Sequence, residues 1–319
     1  MAPSQADSPD RETERGGCHS GVTEPIPGRF QTLPGCGTGD TFCIMPRAFA
    51  RIHVLLARAE PLGVVIRRGP SKQVCTVQWD RRDDSFQLGQ WLRGRIYERR
   101  SDLSPDGKHL IYFAMNGKWS SESRGSWTAI SRAPYLKALA FFPKGDCWHG
   151  GGLFTGNQSY WLNDGYGHSE PGHTDDLRRD IEFRPSGSVG GECLSVYYPR
   201  LRRDGWTFIE RVSLAKWKDF DVFEKPLGAG WVLRKIAHAE IGAPVGKGCY
   251  WDEHELHHLP SDRRVRYPNW EWAELDGKRL VWTEKGKLFA GQIGEEGVTK
   301  EAQLFDFNTM SFQRIEAPY

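Results

Sequence analysis

Asp102-Leu103-Ser104-Pro105-Asp106-Gly107-Lys108-His109-Leu110-Ile111-Tyr112-Phe113 is the stretch on which the reading of the fold turns. Pro105 presets one backbone angle, Asp106 tolerates a turn conformation, and Gly107 supplies a positive φ without strain. Leu110 to Phe113 then form a β-branched and aromatic run of strand length, so a hairpin is predicted here. The same order of residues returns at Asp276-Gly277-Lys278-Arg279-Leu280-Val281-Trp282, and a weaker copy stands at Asp204-Gly205-Trp206-Thr207-Phe208-Ile209.

Upstream of these turns, Trp79-Asp80 precedes Asp106 by about the interval at which Trp251-Asp252 precedes Asp276, and Phe305-Asp306 marks a third copy. Asp80 and Asp306 are each followed at the same offset by Ser-Phe-Gln, at Ser85-Phe86-Gln87 and Ser311-Phe312-Gln313. Val196-Tyr197-Tyr198-Pro199 matches Val265-Arg266-Tyr267-Pro268. Short correspondences in a fixed order mean a small all-β unit used several times.

Strand patterning runs from Met45 to the end. The first unit comprises Arg51 to Ala57, Gly63 to Arg67, Val74 to Trp79 and Ser85 to Trp91; the second Tyr97 to Leu103, Leu110 to Met115 and Trp127 to Ser131; the third Leu136 to Phe142, Gly151 to Phe154 and Ser159 to Leu162. Further strands are expected from Cys193 to Tyr198 through to Phe312 to Ile315, with only a few short helices. Asn163 to Thr174, rich in glycine, reads as a long exposed loop of the kind that carries function.

Units of about four strands and roughly 40 to 50 residues are the propeller signature. The run from Asp102 to Tyr112 resembles the strand-turn-strand unit of TolB-like and WD-repeat β-propellers, in which Ser-Pro-Asp-Gly-Lys joins two inner strands of a blade. The match covers this unit well and the unit at Asp276 in part. The full Gly-His to Trp-Asp pattern of a WD repeat is absent. The resemblance implies an interaction platform. The expected architecture is all-β, a propeller of five or six four-stranded blades over residues 45–319. Residues 1–44, polar and rich in Gly and Pro, read as a disordered tail, or as a misassigned extension if Met45 is the natural start.

The 319 residues carry a net charge of only +2 with acids and bases interspersed, so no single-sign field marks nucleic acid as a partner. Six pairs of arginines, Arg67-Arg68, Arg81-Arg82, Arg99-Arg100, Arg178-Arg179, Arg202-Arg203 and Arg263-Arg264, read as solvated strand ends unless they converge in space. The seven cysteines are odd in number and include no Cys-x-x-Cys pair, which argues against a disulfide framework or structural zinc. No run reaches the roughly 20 apolar residues of a membrane span, and no signal-peptide pattern opens the chain. A soluble cytoplasmic protein is expected.

His254-Glu255-Leu256-His257-His258 satisfies H-E-x-x-H, which on a helix would set His254 and His258 as zinc ligands with Glu255 as base. Its context is extended, so the two histidines would share a strand face with Glu255 opposite. His168, Glu170, His173, Asp175 and Asp176 in the glycine-rich loop offer metal ligands or an acid and a base, or a solvated loop. Asp146, Trp148 and His149 stand beside Gly150-Gly151-Gly152, where the backbone can approach a neighbour closely. Most of the 13 tryptophans fall inside expected strands and read as core, with Trp270 and Trp272 a buried pair on one face. Walker, dinucleotide and nucleophile-elbow motifs are missing. The function read from this is a non-enzymatic binding module without a cofactor, its partner another protein. The alternative is a hydrolase, glycan-directed or metal-dependent, at one mouth of the channel, with His149, His168, His173, Asp175 and Asp176 as its catalytic candidates.

Overall fold

The computed structural model describes residues 48–70, 72–165, 168, 176–186 and 192–319. The expected tail over residues 1–44 and most of the loop at 163–174 lie outside the described residues.

Among the described residues, twenty-one strands and one α-helix follow in chain order. β1 (Arg51–Leu56), β2 (Leu62–Arg68), β3 (Gln73–Asp80) and β4 (Ser85–Arg93) form an antiparallel meander. The second sheet is built from β5 (Arg95–Ile96), β6 (Asp102–Leu103), β7 (His109–Met115), β8 (Ser126–Arg132) and β9 (Ala138–Pro143), with β5 and β6 both pairing β7. The third holds β10 (Gly152–Phe154), β11 (Ser159–Leu162) and β12 (Arg178–Arg179), the last running parallel to β11. Helix α1 (Leu194–Arg203) precedes the fourth sheet, β13 (Thr207–Ala215), β14 (Lys218–Gly228), β15 (Trp231–Glu240), β16 (Tyr250–His258) and β17 (Arg263–Arg266). β18 (Trp270–Asp276), β19 (Arg279–Glu284), β20 (Lys287–Gly294) and β21 (Gly297–Asp306) make the fifth.

Packing follows chain order. Strands such as β2 and β7 are buried on both faces, as their unbroken apolar runs require, because the first and second sheets each lie between two neighbours. Val64, Ile66 and Val74 meet Leu103, Leu110 and Tyr112 between the first and second sheets. Ile130 and Phe142 meet Phe154 and Tyr160 between the second and third. Tyr197, Tyr198 and Leu201 of α1 join Phe223 and Leu233 of the fourth sheet and Trp282 of the fifth. Trp272, Val281 and Leu288 then pack on Val65, Val77 and Trp79, so the last sheet lies against the first. This seam is also polar: Arg81 pairs with Asp276 at 2.6 Å and Arg279 with Asp84 at 2.7 Å. Residues beyond β21 cross the first sheet, where Gln90 Nε2 donates to Ile315 O at 2.8 Å, and reach the second, where Tyr319 Oη donates to Lys137 O at 2.6 Å.

The predicted turn is present. Gly107 N donates to Ser104 O at 2.9 Å, Asp106 Oδ1 accepts from Ser104 Oγ at 2.6 Å, and Gly107 has φ +73°. The connection at Gly277-Lys278 is tighter, two residues joining β18 to β19 with Gly277 at φ +62°. Gly107→Ala is expected to lower stability by about 1–2 kcal/mol, the left-handed penalty of an L-residue, read from the shift in urea midpoint; an unchanged midpoint would show that the turn relaxes.

Several expectations are corrected. Cys193 to Tyr198 is not a strand: α1 begins there, because Leu194, Tyr197, Tyr198 and Leu201 recur at helical spacing and bury one face. The match between Val196-Pro199 and Val265-Pro268 therefore pairs a helix with a strand. Trp79-Asp80 closes β3, Trp251-Asp252 opens β16 and Phe305-Asp306 closes β21, so these three are not equivalent sites. Tyr97 to Leu103 is a 3-10 turn, Glu98–Arg100, and the two-residue β6. The run expected at Leu136 to Phe142 belongs with β7 and β8 as β9, and residues 312–315 pair in no sheet. Trp270 and Trp272 are both buried, yet into different clusters, because a bulge at Glu271 reverses the alternation between them.

Candidate functional site

Two cavities lie among the inward-facing elements. One, of 460 Å³, is walled by β1, α1, β14, β15 and β18; the other, of 430 Å³, by β1, β2, the 3-10 turn at 98–100, residues 246–248, β16 and β18. His53 lines both. It stands in a polar partition with Arg200, whose Nη2 lies 3.0 Å from His53 Nε2 and whose Nη1 donates to Glu98 O at 3.0 Å and to Ser101 O.

Asp252 is the partition's central carboxylate. Its Oδ2 accepts from Tyr197 Oη at 2.6 Å and lies 3.2 Å from Arg99 Nη2 and 3.9 Å from Lys235 Nζ. Burial alone would raise its pKa, but Arg99 and Lys235 outweigh burial and hold it well below the usual carboxylate range. Asp252 Oδ1 has no hydrogen-bond partner among the described residues. Glu98 is held low in the same way, Arg68 and Arg99 overcoming its burial. Lys235, pushed down to about 8 by burial against the opposing pull of Asp252, donates to His254 Nε2 at 3.0 Å and sits 4.7 Å from the Trp206 ring. Lys225 lies over the same ring at 5.3 Å and pairs with Glu274 at 2.6 Å.

Cations exceed carboxylates in both walls. The larger cavity sets Arg58, Arg81, Arg200, Arg203, Lys225 and Lys235 against Asp102, Asp204 and Glu274. The smaller sets Arg51, Arg68, Arg95, Arg99 and Lys247 against Glu98, Asp252 and Glu271. Because the whole chain carries only +2, the interior concentrates positive charge that the rest of the molecule offsets. Arg58 and Arg95 have no carboxylate within ion-pair distance among the described residues: Arg58 Nη2 reaches Phe154 O at 3.4 Å, and the Arg95 guanidinium lies 4.4 Å from the Tyr97 ring centroid.

The candidates named from the sequence fall elsewhere. His149 has a carbonyl that accepts from Arg100 Nη1 at the neighbouring triple glycine, where a side chain at Gly151 would collide with Arg100 O. His168 lies 3.2 Å from Thr128 Oγ1 and is pushed down to about 4 by burial. Asp176 lines a third cavity, of 430 Å³, with His109 and Arg132. His173 and Asp175 lie outside the described residues. Neither His149, His168 nor Asp176 lines the two central cavities. His254 is buried beside Lys235, and His258 Nδ1 meets Ser261 Oγ at 2.7 Å. Four residues of strand, about 13 Å at 3.3 Å each, separate these two histidines, whereas one zinc ion holds nitrogens at about 2 Å. Glu255 faces away, 2.7 Å from Arg234. Among the described residues no group of three His, Cys, Asp or Glu could hold a metal, and no helix is long and apolar enough to cross a membrane.

Tyr197, Arg200, Lys235 and Asp252 carry no motif in the sequence that marks them as site residues. The arginine pairs held part of the signal, since Arg68, Arg81, Arg99 and Arg203 each bring one member of a pair into a cavity wall.

No protein-family model matches the chain, and no curated protein matches it in sequence. Among solved structures it is similar to the hydrazine synthase of Kuenenia stuttgartiensis, at 9% identity and a TM-score of 0.29 over 80% of each chain. Sqt1 of Saccharomyces cerevisiae is similar at 10% identity and a TM-score of 0.29, over 80% of this chain and 86% of that one. An uncharacterised Listeria monocytogenes EGD-e protein matches at 9% identity and a TM-score of 0.23, over 82% and 67%. At these values the fold description rests on the sheets alone.

Proposed function

We propose that the chain is a five-bladed β-propeller acting as a non-enzymatic binding module in the cytoplasm, and that its partner is another protein presenting an acidic segment to the 460 Å³ cavity. Packing of the first sheet on the second, the second on the third, the fourth on the fifth and the fifth on the first, with α1 beside both β10 and β13, supports the propeller reading. The observation that carries the binding reading is the excess of cations in that wall, with Arg58 unmatched by any carboxylate among the described residues. A carboxylate entering there meets a charge-assisted donor in a partly desolvated setting.

Calorimetric titration with a glutamate-rich decapeptide, and with its glutamine counterpart, tests this. Only the acidic peptide is expected to bind, more weakly as salt screens the contact, and Arg58→Ala is expected to weaken it about tenfold, the worth of one hydrogen bond to a charged group. Equal affinity for the two peptides, or an unaffected Arg58→Ala, would sink the reading.

A further inference from the structure

Two connections leave the same end of the fourth sheet: Lys216-Trp217 between β13 and β14, and residues 241–249 between β15 and β16. They touch, Ile241 N donating to Trp217 O at 2.9 Å. Leu214, Trp217 and Ile241 are 65%, 62% and 64% exposed, and Val245 is fully so. Four large apolar side chains held in water at one sheet end are the kind of surface that marks an interaction site. Trp217 is also held at φ +63°, where glycine is the default residue, so the turn keeps its indole against a backbone cost.

The charges choose the occupant. Residues 214–218 and 241–249 carry three lysines, Lys216, Lys218 and Lys247, and no Asp or Glu. All three lysines are exposed, and none has a carboxylate within ion-pair distance among the described residues. Asp219 and Glu240 lie behind the tips and are half-buried; Glu240, opposite Lys218 in the ladder, is taken by His238 Nδ1 at 3.1 Å. Apolar tips flanked by unpaired ammonium groups match an occupant that is apolar within and anionic at its surface, as a lipid leaflet is. A protein surface would instead have to supply a groove for each projecting side chain and a carboxylate for each lysine. The tips are also prepared for a phase without water, because the amides of Glu240, Ile241 and Lys247 already donate to Cys249 O, Trp217 O and Pro244 O, each at 2.9 Å.

We infer that this end of the fourth sheet docks peripherally on an anionic membrane surface, its four apolar side chains entering the boundary between headgroups and acyl chains and its three lysines lying among the headgroups. Tryptophan favours that boundary because its ring is apolar and its N–H polar. Lysine stems cover apolar surface while their ammonium groups stay in water. Interfacial binding of this kind grows with the apolar area buried and with attraction to anionic lipid. The 460 Å³ cavity lies toward the opposite end: Arg51, at the start of β1, donates to Gly246 O beside the tips, whereas Arg58 of that cavity follows the far end of β1. The two surfaces are therefore independent.

The test is co-sedimentation of the full chain with vesicles of phosphatidylcholine alone and of phosphatidylcholine mixed with phosphatidylglycerol. Binding to the mixed vesicles is expected, weaker as salt rises, and much weaker to the neutral ones. Trp217→Gly, which removes the indole and suits the turn, is expected to weaken it about tenfold, the worth of one buried apolar side chain. Val245→Asp, at a fully exposed position, should weaken it at least as much. Replacing all three lysines by alanine should abolish the preference for the mixed vesicles, each lysine contributing about fivefold. No sedimentation with the mixed vesicles overturns the inference, as do equal binding to both compositions or tip variants that bind like the wild type. Light scattering that shows a dimer lost in both Trp217→Gly and Val245→Asp would overturn it in favour of a contact between two copies of the chain. The glutamate-peptide titration reads the 460 Å³ cavity, so either reading can fail while the other stands.

Discussion

Trp282→Ala is expected to destabilise the protein by about 3–5 kcal/mol, the range for truncating a large aromatic side chain in a core. Trp282 is 2% exposed and stacks on Trp270 with centroids 5.0 Å apart and on Phe289 at 5.7 Å. Its indole belongs to the cluster in which α1, the fourth sheet and the fifth sheet meet. Collapse into the space left behind would require shifting elements fixed by separate hydrogen-bonded ladders, so most of the void should remain. Trp270, stacked on Tyr267 as well at 3.8 Å, is held from its other side and cannot follow. Urea unfolding monitored by far-UV circular dichroism gives the number; a loss under about 1 kcal/mol, below even the mild end of core truncations, would mean that this cluster is not packed as described.

Asp252→Asn should be comparably severe, at about 3–5 kcal/mol, because removing one partner of a buried ion pair leaves the other uncompensated. Arg99 and Lys235 would both lose the carboxylate they face, although the amide oxygen introduced by the substitution could still accept from Tyr197 Oη. The pH dependence carries a distinct signature. Asp252 and Glu98 both have folded-state pKa values held below the ordinary carboxylate value. Their contribution is complete above the unfolded values near about 4 and is lost as pH falls toward the folded ones. The wild type should therefore lose stability steadily on acidification below about pH 4, and Asp252→Asn should show a shallower slope over that range. Parallel slopes would mean that Asp252 is not ionised against those cations.

Local chemistry was the legible part of the sequence. Asp-Gly turns at 107 and 277 and β-branched runs such as Gly63 to Arg67 declared hairpins and strands because those signals are decided within a few residues. Helix α1 escaped because Val196, Tyr197 and Tyr198 favour strands locally, while the helical spacing of Leu194, Tyr197, Tyr198 and Leu201 is satisfied only by a partner surface on other sheets. The bulge at Glu271 was hidden for a related reason: its carboxylate accepts from Ile52 N at 3.1 Å, a contact made across 219 positions. The central site was less legible still. Lys235, Asp252 and Arg99 are ordinary charged residues in the sequence, and only burial together makes them unusual.

The seam between the first and last sheets has a consequence for how the molecule assembles. Each sheet is made chiefly of neighbouring strands, so its contacts are local and form fast. The seam instead joins residues 195 to 258 positions apart, as in Arg81 with Asp276 and Ala50 with Asn308. Drawing together chain ends so far apart opposes closure by about 5 kcal/mol in loop entropy, plus a constant. The seam is thus expected to be the last joint to form, after the five sheets whose ladders are local.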